Sequence, residues 1–357
     1  MAKTPRVRKG QLKVDLTREE FVARFGGNFC DPCFDDAREH IAALAEIAWR
    51  NYSDSRKSPR RARAGRGFAD PGYQLPVEWL ETRRRIHAAE RQRRRTRGCR
   101  LLLVNGSARN DKTCPGEISK THRLLEIARR ELESQRGIAL DVLDLSRLTA
   151  EYGRVIYPCK GCVSTAMPLC HWPCSCYPNH SLAQVKDWMA DIYPMWAAAD
   201  GILIVTPVYW YQAPSVLKLM IDRLVCADGG NPDPTTTSLK DPAKAKALEL
   251  KGWHYPRHLA GRVFAVIVHG DAAGAEGLRR NLHDWLTDMH LISAGQDAML
   301  DRYVGYFEPY ATSHEALDGD RAVQEEVRNV ARVFADAARR AKRGELSRPQ
   351  LEDPRPK

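Results

Sequence analysis

Three groups of residues have the types and spacing to do chemistry. Gly106–Ser107–Ala108–Arg109, with Lys112 just beyond, is followed by Ser119–Lys120–Thr121, and twelve residues separate Gly106 from Ser119. Hydroxyls, amides and cations in one loop suit an anion. They do so above all at a helix start, where the first N–H groups lack internal partners and the helix dipole favours negative charge. The loop has neither the G-x-x-x-x-G-K-[ST] pattern of an ATPase loop nor the G-x-G-x-x-G pattern of a dinucleotide site, so a single terminal phosphate is the expected occupant. Pro207–Val208–Tyr209–Trp210–Tyr211–Gln212 places three aromatics in succession. Side chains alternate along an extended chain, so the three cannot all face one core and at least one should border a cleft. Such a wall suits a flat ring whose polar edge is addressed by backbone groups. The third group runs Cys159–x2–Cys162–x7–Cys170–x3–Cys174–x–Cys176, with His171 inside it. Thiolates at such spacing can hold zinc or an iron–sulfur cluster. They can equally be free or redox-active thiols, and Trp172, Pro173, Tyr177 and Pro178 make an ordered wall of the cleft a further reading.

The elements that must position these groups follow from periodicity. Leu101–Val104, Ala139–Leu145, Gly201–Val205 and Val263–Val268 read as short apolar strands, and a fifth is expected near Ile292–Leu300. Between them, Leu124, Leu125, Ala128 and Leu132 mark one helical face after Ser119. Further helices are expected over Ser181–Ala199, Ala213–Val225, Ala275–His290 and Arg321–Arg343, with Cys226–Leu259 a long polar insertion. Alternating strands and helices imply α/β architecture, a doubly wound five-stranded parallel sheet with right-handed crossovers. Ligands of such sheets sit at the carboxyl ends of the strands. The loops after Gly106, Thr206 and His269 should therefore line one cleft. Phosphate at one strand end and a planar ring at the next describe flavin mononucleotide (FMN).

Residues 1–98 read as a basic helical extension, 99–343 as the cofactor-binding domain and 344–357 as a polar tail. Thr17 with Glu20 has the form of a capping box, and Asp31–Pro32 starts a second helix. A loop rich in Arg, Gly and Pro follows from Ser53 to Pro76, then a basic helix from Val77 to about Arg97. Residues 1–100 hold 24 Lys and Arg against 13 Asp and Glu, whereas 101–357 hold 32 of each, so the net charge of +11 belongs to the extension. No ordered reading motif accompanies these arginines, and nucleic acid is not an expected partner. No apolar run approaches the ~18 residues of a membrane helix and no secretory signal is visible, which makes a cytoplasmic location the expectation. There a framework of disulfides is not expected from the ten cysteines. Cys30–x2–Cys33 is expected to pack.

Gly106–Ser107–Ala108–Arg109, Ser119–Lys120–Thr121, Thr206–Pro207–Val208–Tyr209–Trp210 and Leu217–Lys218–Leu219–Met220–Ile221–Asp222–Arg223 resemble the flavodoxin-like NAD(P)H-dependent FMN reductases and quinone reductases. The resemblance covers about Arg100 to Arg343. It implies that Ser107, Arg109, Ser119, Lys120 and Thr121 surround the FMN phosphate. It implies that Pro207, Val208, Tyr209, Trp210 and Tyr211 border the isoalloxazine through their backbone, and that Gly270, Asp271 and Gly274 close over the ring. Lys218, Asp222 and Arg223 would tie helix to sheet. NAD(P)H would pass hydride through FMN to a small acceptor (quinone, flavin, nitro or azo compound), with no side chain needed as a general base. A homo-oligomer is expected from the same resemblance. The cysteine run also resembles the insertion in iron–sulfur flavoproteins, whose spacing is tighter. An electron carrier using Cys159, Cys162, Cys170, Cys174 and Cys176 is therefore the alternative. Tyr303, Tyr306, Phe307 and Tyr310, with His314 nearby, are expected in core or dimer packing before substrate contact.

Overall fold

A computed structural model describes residues 15–113, 116–270 and 273–346. The extension begins with α1 (Arg18–Gly26) and α2 (Arg38–Ser53). Thr17 caps α1 in a complete capping box with Glu20, as its sequence predicts. Asp31–Pro32 opens a 3₁₀ segment, Pro32–Ala37, before α2 begins. The Arg-rich stretch holds a small antiparallel hairpin, β1 (Arg61–Arg63) with β2 (Gln74–Pro76), and then α3 (Val77–Arg95). Cys30 and Cys33 are exposed, so the packing expected of them is not found.

The main body follows: β3 (Cys99–Asn105), α4 (Lys120–Glu133), β4 (Ile138–Asp144), the short α5 (Arg147–Ala150), α6 (Met189–Ala198) and β5 (Gly201–Pro207). Next come α7 (Ser215–Arg223), α8 (Pro242–Leu250), β6 (Val263–Gly270) and α9 (Ala275–Asp288). β7 (Ile292–Ser293), β8 (Met299–Tyr303), α10 (Glu315–Gly319) and α11 (Arg321–Lys342) complete it. The sheet order is β4-β3-β5-β6, with β7 and β8 both on the far edge of β6, and every pairing is parallel. The fifth position is thus filled by two short strands rather than one. A 3₁₀ turn at Gln296–Ala298, entered through Gly295 at φ +113°, breaks it.

β5 and β6 are buried along their whole length, which is why they read as unbroken apolar runs. The helix expected from Ser181 starts only at Met189. Asn179 and Gln184 instead exchange two backbone hydrogen bonds, and Trp188 N–H donates to Val155 O. The insertion after Cys226 is ordered, contains α8, and packs on the cysteine-rich loop. Among the described residues no helix is long and apolar enough to cross a membrane.

Register sets the working edge. Asn105 pairs with Asp144 and Val205, Pro207 with His269, and Gly270 with Tyr303. The loops leaving β3, β5 and β6 therefore emerge from one side of the sheet.

Candidate functional site

The first loop is held from its neighbours. Gly106 N–H donates to Val205 O at 2.8 Å, and a Cβ there would meet Thr206 Cβ and Oγ1, each at 2.8 Å. Only glycine lets the loop lie this close to β5. Asn105 Oδ1 accepts from Ser107 N–H at 3.1 Å, and Ser107 Oγ accepts from Arg109 N–H at 3.0 Å. Asp144 supports the whole turn from the end of β4. It accepts from Asn105 Nδ2 (2.8 Å), Asn110 Nδ2 (3.2 Å) and Ser146 N–H (3.1 Å) and Oγ (2.6 Å). Thr149 Oγ donates to Ala108 O at 2.8 Å. This scaffold accounts for the loop's length, and its members Asn105, Asn110, Asp144 and Thr149 were not singled out by spacing. They act across strands, which no local pattern encodes.

Ser107, Ser119 and Thr121 are buried. Ser119 heads α4 with no side-chain cap bond among the described residues, which leaves its hydroxyl uncommitted to the helix. The Nε of Arg109 is buried and has no hydrogen-bond partner among the described residues. A cationic donor left unsatisfied beside a helix start fits a phosphate. Lys120 is otherwise committed: its Nζ donates to Val304 O at 3.0 Å and Ser313 Oγ at 3.2 Å. Thr121 Oγ1 lies 2.7 Å from His269 Nε2, which links α4 to the end of β6.

The second loop leaves β5 as a tight reversal. Tyr209 and Gln212 exchange backbone hydrogen bonds of 2.9 Å, with Trp210 (φ +45°) and Tyr211 (φ +64°) between them. Two bulky residues in the left-handed region are strained, since turns of this shape favour Asn-Gly. Trp210 is 95% exposed and Tyr211 63%, so burial does not offset that strain. Gly274, at φ +108°, lies against Tyr211, and a Cβ there would meet Tyr211 Cδ1 at 2.8 Å. The loops after β5 and β6 thus touch. Gly270 is buried at the end of β6, whereas Asp271 lies outside the described residues.

A fourth wall comes from residues 303–314. Tyr303 Oη accepts from Gly274 N–H (3.1 Å) and Ala275 N–H (3.2 Å) and donates to Glu276 (2.7 Å). Lys120 and Arg123, whose Nη1 donates to His314 O at 3.0 Å, tether this segment to α4. Ala273, Tyr303, Tyr306 and Phe307 line a pocket of about 510 Å³. Phe307 is 94% exposed, so the core packing expected of this aromatic run is not found for it.

Residues 99–304 match the profile of the NADPH-dependent FMN reductase family. The chain belongs to that family. It is also 29% identical over 126 residues to an iron–sulfur flavoprotein of Methanosarcina thermophila, across 35% of this chain, and it spans about half (52%) of that relative's length. Among solved structures, RosB with bound 8-demethyl-8-formylriboflavin-5'-phosphate is 16% identical (TM-score 0.46, covering 70% of this chain and 82% of RosB). An FMN-dependent NADH-azoreductase from Bacillus anthracis in complex with FMN is 14% identical (TM-score 0.36, covering 66% and 99%).

The family's helix signature is used differently from expectation. Lys218 and Asp222 form an exposed ion pair along α7. Arg223 is buried and does not tie helix to sheet. It donates to Asp187 Oδ2 (2.6 Å) and Tyr157 O (2.7 Å), and its guanidinium lies 4.6 Å from the Tyr177 ring. It anchors the cysteine-rich loop.

That loop is fixed chiefly by the insertion after α7. His171 is fully buried between Ser175 Oγ (2.5 Å) and Thr237 Oγ1 (2.9 Å), and burial pushes its pKa well below the ordinary value. Asn231 exchanges backbone hydrogen bonds with Cys170 and Trp172. Cys162 Sγ and Cys176 Sγ approach to 3.2 Å, and Lys240 Nζ donates to Cys162 Sγ at 3.4 Å and Leu169 O at 2.8 Å. The hydrogen bond from Cys176, aided by the Lys240 charge, holds the Cys162 thiol down to about 6 against the opposing effect of burial. Cys170 is buried, and burial raises its thiol well above the ordinary value. Gly161 N–H donates to Cys159 Sγ at 3.4 Å. Among the described residues no three His, Cys, Asp or Glu side chains gather as a metal site, although the five cysteines are close in sequence.

Proposed function

We propose that this protein is an FMN-dependent oxidoreductase that takes hydride from NAD(P)H and delivers it to a small acceptor such as a quinone, a free flavin, or a nitro or azo compound. The observation that carries the reading is convergence. Gly106 abuts Thr206 and Tyr211 abuts Gly274, so three crossover loops meet at one sheet edge beside an unsatisfied arginine. Ser107, Arg109, Ser119 and Thr121 surround the phosphate, and Arg109 neutralises it. Lys120 acts one step back, fastening the start of α4 to residues 304–313. Backbone groups of Pro207 to Tyr211 border the ring, and Gly270 and Gly274 close its other side. Bound FMN supplies acceptance and release of hydride. The chain's part is to orient the two substrates in turn over one open face, with Trp210, Tyr306 and Phe307 as the aromatic surfaces that exclude water. The active form is a homo-oligomer.

The test is an absorbance spectrum of the purified protein, followed by FMN titration and NADPH or NADH oxidation with a quinone. A flavin spectrum, or stoichiometric uptake of added FMN with acceptor-dependent turnover, is expected. Protein that neither carries nor takes up FMN at micromolar concentration ends this reading. The second reading, an iron–sulfur electron carrier, draws support from the partial likeness to the Methanosarcina thermophila protein. Iron and acid-labile sulfide measured on the same sample decide it.

A further inference from the structure

The cysteine-rich loop brings together two thiols and a lysine that the flavin reading does not use. Cys162 Sγ and Cys176 Sγ are 3.2 Å apart, so about 1.2 Å of approach separates them from the bond length of a disulfide. Cys162 is half-buried, whereas Cys176 is buried behind it. Cys176 N–H donates to Cys174 Sγ at 3.5 Å in turn. The charges around these sulfurs are cationic. Lys240 Nζ reaches Cys162 at 3.4 Å, and Lys57, whose Nζ donates to Ser175 O at 2.9 Å, comes from the N-terminal extension. An ammonium this close to a sulfur stabilises thiolate and repels a metal cation from the same point.

We propose that Cys162 and Cys176 form a peroxide-reactive dithiol, with Cys162 as the attacking thiolate and Cys176 as the resolving thiol. In the first step the Cys162 thiolate attacks one oxygen of a hydroperoxide. The S–O bond forms, the O–O bond breaks, and the displaced hydroxide or alkoxide takes a proton to leave as water or alcohol. In the second step Cys176 sulfur attacks Cys162 sulfenic acid. The S–S bond forms, the S–O bond breaks, and water departs with the thiol proton. The two thiols together lose two electrons, and the peroxide gains them. The bond would cross-link the loop that walls a second pocket, of about 370 Å³, between α3 and α6, where Trp79, Cys174, Tyr177 and Trp188 meet. Oxidation would therefore be felt at the junction of the extension and the main body.

The dithiol chemistry needs no flavin, and its test does not require flavin turnover. The full-length protein, reduced with a phosphine and desalted, is titrated with hydrogen peroxide and followed by intact mass and peptide mapping. A loss of about 2 Da, reversed by the phosphine and mapped to a Cys162–Cys176 linkage, is expected. Cys176→Ser should instead accumulate a dimedone-reactive sulfenic acid on Cys162. Lys240→Gln should slow oxidation about tenfold, with Lys240→Arg restoring most of the rate. Should the serine variant not fold, competition between peroxide and iodoacetamide for Cys162 in the wild-type chain gives the same rate. A linkage of Cys174 to Cys176, no change of mass, or stoichiometric zinc or iron released when Cys162 is alkylated would each overturn the proposal.

Discussion

Arg109 and Trp210 are two residues whose local state costs the fold something, and the proposed FMN site is where that cost would be recovered. The buried Nε of Arg109 lacks a protein partner among the described residues. Such a donor costs about 1–3 kcal/mol until a ligand satisfies it. Arg109→Ala should weaken FMN binding by roughly one to two orders of magnitude while leaving thermal stability level or slightly raised, as read by fluorescence titration and calorimetry. Trp210 and Tyr211 make the opposite exchange, since both hold positive φ while exposed. Replacing them with Asn and Gly removes about 1–3 kcal/mol of strain per residue. The double variant should melt higher and turn over more slowly, with KM for the aromatic substrate raised. A fall in melting temperature would show that the pair packs on something structural. For Cys162, Cys176 and Lys240 favour the thiolate, while burial and Cys174 oppose it. Its carbamidomethylation rate should therefore be half-maximal near pH 6 and fall as pH drops through that value. The sign for stability is the same. A depressed thiol contributes stability that is present in full above the unfolded thiol's value and is lost as pH falls through about 6.

At the scale of elements, the site is positioned by how closely crossover loops approach their neighbouring strands. Gly106 is one such point, because a methyl group would collide with Thr206 at 2.8 Å and Leu217 at 3.0 Å. Gly106→Ala should destabilise by about 1–3 kcal/mol in urea melts and displace the first loop, weakening FMN binding in parallel. Stability lost without any change in FMN affinity would show that the loop absorbs the shift elsewhere. The strands were legible in the sequence because each central strand is apolar on both faces, and the α4 stripe because its buried residues recur at helical spacing. What stayed hidden has a common cause. The Asp144 scaffold, Lys240 beside Cys162 and Thr237 on His171 all act across tens of residues of sequence, as in the 66 between His171 and Thr237. The late start of the helix expected at Ser181 depended on backbone pairing of Trp188 with Val155, which no periodicity records. Lys120 is a related case: its position at a helix start suggests an anion, while two partners of its Nζ lie on a distant loop.

Across the whole molecule, the basic extension is bound into the body. Trp79 Nε1 donates to Pro173 O at 2.8 Å, Ala69 N–H to Asp233 at 2.7 Å, and Lys57 Nζ to Ser175 O at 2.9 Å. Arg93 and Lys342 meet on buried Asp200, at 3.3 and 2.7 Å, which closes α3 against α11. Ile86 belongs to the main core, while Phe68, Leu75 and Trp79 form a smaller cluster of their own. A fully buried side chain of this size contributes about 1.5–3 kcal/mol, so losing Ile86 and Trp79 alone removes a sizeable part of the ~5–15 kcal/mol that holds a domain folded. A chain starting at Gly98 should therefore melt about 10 °C lower or more and bind a hydrophobic dye at temperatures where the full chain does not. The cysteine loop should suffer first, because Lys57, Trp79 and the Lys57 carbonyl, which accepts from His180 N–H at 2.9 Å, all fasten that loop from the extension. Faster alkylation of Cys174 and Cys176 at temperatures below the melt would report that order. Equal melting temperatures would instead make residues 1–97 a separable appendage, and the loop would have to be held by the insertion around Asn231, Thr237 and Lys240 alone.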